Sequence, residues 1–138
     1  MANTVTKTTV TDSKRLAVVH VYLQSDGSSG ELTDEVVIDV SALARGPEGN
    51  LCDHVRVRRV YGSMDGFTAF LEFDATTDDR FLNFPNGAPG VYADFTAYGG
   101  VEDPESSGTT GDVILTTAGF TAATDAGWFV IEAEKIYA

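Results

Sequence analysis

Cys52 and His54 stand two residues apart, and a thiol beside an imidazole is the smallest pair that supports nucleophilic catalysis. Positions i and i+2 of a strand still need a third group to orient the base, and nothing in the pattern supplies one. Cys52 therefore reads as a buried structural thiol. His20 lies in another segment with no HxH or HExxH spacing, so no zinc site is expected. The GxGxxG, GxxxxGKS/T and GxSxG patterns are absent, which removes the anchors for nucleotide binding and serine hydrolysis. Carboxylates cluster as Asp74, Asp78 and Asp79, as Glu102, Asp103 and Glu105, and as Asp34 with Glu35. Calcium needs about six to eight oxygens around one point, and the DxDxDG spacing of a dedicated loop is missing. Solvated acidic loops are the expectation. A carboxylate pair for glycoside hydrolysis would need a separation that no spacing reveals. The chain is expected to have no catalytic residue, metal or cofactor, and not to be an enzyme.

What remains suits contact better than reaction. Arg56, Arg58 and Arg59 hold a third of the nine basic residues within four positions, on a chain of formal net charge -12. Such a concentration of the minority charge marks a contact surface, either between copies or between carboxylates and arginines of one sheet. Strict alternation puts Arg56 and Arg58 on one strand face and Arg59 on the other. Most aromatic residues fall in strand runs and belong to the core. Phe81, Phe84 and Phe120 stand in loop-like contexts and are candidate anchors for a neighbouring subunit. Tyr92, Tyr98 and Trp128, if exposed as a coplanar platform, would suit a glycan.

The elements that must position these residues are strands. In Phe67–Phe73 the residues Phe67, Ala69, Leu71 and Phe73 share one face, the period of two of a half-buried strand. With the run from Val55 and a Met64-Asp65-Gly66 turn, this predicts a β-hairpin. Thr4–Thr11 is β-branched and extended. Arg15–Gln24 is apolar on both faces, as in a central strand covered on both sides. The turn Ser25–Gly30 leads to Leu32–Val40, which predicts a second hairpin. Ser41–Asp53 is a crossover loop with one short helical turn at 41–44. Phe81–Phe84 is short and closed by Pro85 and Gly87, so it is expected as ordered loop. Val91–Tyr98, Asp112–Thr117 and Gly127–Tyr137 are strands, and Gly99–Gly111 is an exposed, mobile tip. The fold class expected is all-β, an antiparallel β-sandwich or jelly-roll-like barrel of about eight strands. Strand order is not readable.

At 138 residues the chain fits a single domain spanning 1–138, with residues 1–11 able to act as a strand-exchanging N-terminal arm or as an edge strand of their own sheet. A pI near 4.3 argues against nucleic acid as a partner. No apolar run approaches the ~18 residues that span a bilayer, so no membrane partner is expected. One cysteine and an N-terminus unlike a secretory signal point to folding in a reducing cytosol.

Four blocks, the MANTVT opening, VVHVYLQSDGSSGELTDEVVIDVSAL, YGSMDGFTAFLEFDATTD and DFTAYGG…TTGDVILTTAGF, together resemble small virion proteins of tailed bacteriophages that decorate or cement the capsid. The resemblance implies a β-rich structural module that performs no chemistry. It implies the major capsid protein lattice as partner, a homo-oligomer with a trimer favoured over a dimer, and a place on the capsid exterior after synthesis in the host bacterial cytoplasm. A tail or neck protein of the same virion, or a glycan-binding β-sandwich module, are the alternatives.

Overall fold

The computed structural model describes residues 2–105 and 107–137. Nine strands run β1 (Thr4–Asp12), β2 (Leu16–Gln24), β3 (Glu35–Ile38), β4 (Cys52–Asp65), β5 (Thr68–Phe73), β6 (Asp79–Phe84), β7 (Val91–Asp94), β8 (Val113–Ala118) and β9 (Ala126–Tyr137). Three single 3-10 turns, at Val40–Ala42, Pro47–Gly49 and Thr96–Tyr98, complete the regular structure of the described residues. Two antiparallel sheets result, one ordered β1-β2-β9-β4-β7 and the other β3-β8-β5-β6. The chain is all-β, as the alternation requires.

Leave β1 aside and the two sheets read 2-9-4-7 and 3-8-5-6. This is the strand order of a jelly roll, in which the chain changes sheet at nearly every connection. That winding corrects both hairpins expected above. β4 pairs with β9 and β7 whereas β5 pairs with β8 and β6, so the Asp65–Phe67 turn is a corner between sheets. Met64 and Phe67 both point inward on either side of it, each nearly fully buried. Gly66 takes φ +94°, and a Cβ there would lie 2.0 Å from the Asp125 carboxylate. β2 and β3 likewise sit in different sheets.

Inward residues from both sheets form one core. Val21, Leu23, Phe129 and Ile131 come from the larger sheet, and Ala69, Leu71, Phe73 and Leu115 from the smaller. A buried side chain of this size contributes roughly 1.5–3 kcal/mol, which is ample to hold two sheets without a disulfide. Phe81–Phe84 is not loop, because it forms most of β6 and pairs with β5 from Ala69–Phe84 to Phe73–Asp79. Phe84 and Phe120 are fully buried, so they cannot anchor a neighbouring subunit. Phe84 lies 5.3 Å from the Phe129 ring, and Phe120 lies 4.5 Å from Phe67. Glu31 fixes the approach of Phe120 by accepting bonds from its backbone N–H, from Gly119 N–H and from the Thr117 hydroxyl. Phe81 is half-covered and stacks on Phe73 at 4.4 Å.

β1 pairs along its length with β2 of its own chain. Asn3 ties its start to the Ser25–Gly30 turn, donating to Gly30 O and accepting from Asp26 N–H. At the other end, Asp12 pairs with the buried Lys135 and accepts from Ala44 N–H. Within one chain, residues 4–12 are therefore an edge strand of their own sheet.

Candidate functional site

The outer face of the five-stranded sheet gathers most of the residues singled out for contact. β2 was expected to be covered on both sides, yet only Ala17, Val19, Val21 and Leu23 are buried. Leu16, Val18 and His20 remain partly open on the other side, and Tyr22 is exposed. Register then sets the rows. Tyr22 stands opposite Trp128, and Trp128 opposite Ser63. The next row is His20, Val130, Tyr61 and Tyr92, followed by Val18, Glu132, Arg59 and Asp94, then Leu16, Glu134 and Arg56.

Arg59 belongs to this face because of a bulge. The β4–β9 register steps from Val57–Ala133 to Arg59–Glu132, leaving Arg58 without a facing residue. One extra residue resets the alternation and turns Arg59 to the side that Arg56 occupies. The expectation that Arg59 points oppositely is thus corrected, and all three arginines reach carboxylates of this sheet or its neighbouring loop. Arg56 Nε donates to Glu102 at 3.0 Å and its Nη1 to Glu134 at 3.2 Å, while Arg58 reaches Glu134 at 3.5 Å. Arg59 bonds Glu132 at 3.4 Å and lies 3.5 Å from Asp94. Asp94 and Glu132 hold the Arg59 guanidinium more firmly charged. Bonds from the Thr96 hydroxyl and backbone N–H, with Arg59 adding to them, keep the Asp94 carboxyl below its usual range. Burial, and Glu132 beside it, raise the Tyr61 phenol.

The rings lie beside this charged ladder. Tyr61 stacks on Tyr92 at 5.9 Å and 25°, and Trp128 meets Tyr61 edge-on at 6.5 Å and 75°. Tyr92 is 67% exposed and Trp128 42%. Beneath them Gly62 lets β4 and β9 close, since a Cβ there would lie 2.2 Å from Trp128 O. Tyr98 sits apart in the Thr96–Tyr98 turn, exposed and packed against Phe95. The rings are therefore not coplanar.

The thiol, the His54 imidazole and the acidic loops lie away from these rings. Cys52 is buried and its thiol donates to His54 O at 3.2 Å rather than to an imidazole; burial pushes its pKa up. His54 Nδ1 lies 2.8 Å from Asp53 and its Nε2 lies 3.6 Å from Glu102. His20 stands 6.3 Å from Trp128 on the outer face. Folding joins acidic loops that are distant in sequence. Asp34, Glu72 and Asp78 have carboxylate oxygens within 4.8 Å of one another, and burial followed by Asp78 raises the Glu72 carboxyl. Asp103 is raised by burial and by Asp79, and Glu105 chiefly by Asp79. Neither meeting was visible in sequence, because each joins loops through strand order. Three carboxylates supply only part of a calcium shell.

No protein-family model and no curated protein matches the chain. Among solved structures, an RmlC-like cupin family protein with a double-stranded β-helix fold from Methanocaldococcus jannaschii aligns over 95% of this chain and 81% of its own, at 9% identity and a TM-score of 0.36. At that score the likeness assigns no site and no chemistry.

Proposed function

We propose that the chain is a non-catalytic assembly module, a structural virion protein that decorates or cements a tailed-phage capsid by binding the major capsid protein lattice. The observation that carries the reading as an assembly module is the outer face of the five-stranded sheet, apolar and aromatic on one side and laddered with arginine–carboxylate pairs on the other, with the strongly acidic remainder of the chain left for the capsid lattice. Aromatic rings and arginines are the side chains that dominate protein contacts. The resemblance of the sequence blocks to capsid decoration proteins supplies the partner. A rigid sandwich in many copies gains collectively from contacts that are individually weak. The T-shaped meeting of Trp128 and Tyr61 leaves the glycan alternative without a flat platform.

The test is to add purified protein to capsids lacking it, pellet the particles and measure occupancy per major capsid protein at low and moderate salt. Saturable occupancy at a fixed ratio is expected, falling with salt because the chain is acidic. No binding to capsids would sink the shell reading. Sixfold rings on tails or necks in electron micrographs would replace it with the tail alternative.

A further inference from the structure

We infer that the outer face of the five-stranded sheet is where two copies of this chain meet. The inference deepens the assembly reading and rests on it for the premise that the chain works in several copies. An antiparallel sheet with one solvated side normally alternates apolar residues inward with polar residues outward. Here the outward side of the interior strands β2 and β9 carries Leu16, Val18, Tyr22, Trp128 and Val130 alongside His20, Glu132 and Glu134. Among the described residues that side stays open, with Trp128 and Tyr22 42% and 40% exposed and Leu16, Val18 and Val130 half-buried.

Charge selects the occupant. The three arginines on this face stand against Glu102, Glu132, Glu134 and Asp94, which leaves a net charge of -1. The chain as a whole carries -12, so the rest of its surface carries -11. Two copies approaching by any acidic surface repel one another. By this face they meet nearly neutral, with aromatic rings available to both. A basic partner would instead be drawn to the acidic remainder, and this face offers it no attraction. A self-complementary patch of this kind closes on a two-fold axis.

Size sets the strength. Four strands about 4.8 Å apart and six residues of rise give a patch of roughly 15 by 20 Å. Its roughly 300 Å² is well under half of the ~800 Å² per partner of a standard stable interface. The contact is therefore concentration-dependent in free solution and becomes fully occupied when copies are held close together.

The single tryptophan of the chain lies inside the patch and reports on it directly. Sedimentation velocity over a dilution series, with Trp128 emission and acrylamide quenching measured on the same samples, makes the test. The expected result is a rise in mass with concentration, accompanied by a blue shift of the emission and a loss of quenching. Val130→Lys, a half-buried position in the middle row, makes the net charge less negative and so lowers general repulsion, yet it is expected to abolish association. Circular dichroism and the melting temperature establish that this variant is folded. A monomer at every concentration overturns the inference, and so does an oligomer in which Trp128 emission and quenching stay fixed or one that Val130→Lys leaves intact. A wild-type monomer that still fills the capsid overturns the inference alone. An oligomer with the Trp128 signature that never binds capsids sinks the shell reading and leaves the inference standing.

Discussion

Arg59 and Arg56 point to the same side of β4, although an odd number of positions separates them, because the bulge at Arg58 inserts one residue that β9 does not match. Glu132 and Glu134, two apart on a regular strand, receive them in adjacent rows. Glu134 is the hub of the ladder, since it takes both Arg56 and Arg58 and its side chain is only 23% exposed. Glu134→Gln is expected to cost about 1 kcal/mol in urea unfolding, and Arg56→Gln less, as a more exposed partner. Equal and negligible losses from both would show the ladder to be solvated.

Phe84 and Phe120 are both fully buried in the one core, Phe84 against Phe129 and Phe120 against Phe67. Truncation of either to Ala leaves a ring-sized void and is expected to cost about 3–5 kcal/mol. Phe81→Ala, at a half-covered position of β6, is expected to cost about 1–2 kcal/mol. Chemical denaturation of the three variants separates the cases. A Phe84→Ala protein as stable as the parent would contradict the packing.

Cys52 is the one thiol, buried and bonded to a backbone carbonyl. Alkylation by iodoacetamide is expected to be slow in native buffer and fast in urea, followed by mass spectrometry, because thiolate forms reluctantly where burial raises the pKa. Rapid native labelling would show the site to be open.

Stability is expected to rise as the pH falls from neutral toward the ordinary carboxylate range. Glu72, Asp103, Glu105 and Asp112 are all raised in the folded chain, so their ionised forms oppose folding above those folded values. Protonation on the way down through the raised pKa values relieves that opposition. Asp26 works the other way. The Ser29 hydroxyl and the backbone N–H groups of Ser28 and Ser29 hold it at about 2, and Asp94 is also lowered. Their stabilising contributions are present above the unfolded carboxyl pKa and vanish as the pH drops through the folded values. The melting temperature should pass through a maximum on the acid side of neutrality. A steady decline from neutral pH downward would refute the balance of signs.

The sequence by itself determined the all-β class and most of the strands, though not β6, and for β5 the side that is buried. Phe67, Ala69, Leu71 and Phe73 are inward as their alternation demands, whereas in β9 the packing chose Phe129, Ile131, Ala133 and Lys135 as the buried set over Trp128, Val130 and Ile136. Periodicity of two is a local property of the chain, and burial of one face follows from it. Tertiary structure decided what each strand pairs with. The turns at Ser25–Gly30 and Asp65–Phe67 hold residues that serve a hairpin or a sheet-changing corner equally well, and the choice belongs to the jelly-roll pairing of β3 with β8 and β5 with β8. The bulge was equally hidden, because an unmatched residue exists only relative to the partner strand. The contact face followed the same logic: Trp128, Tyr61 and Tyr92 lie far apart in sequence, and only the order β9-β4-β7 sets them side by side.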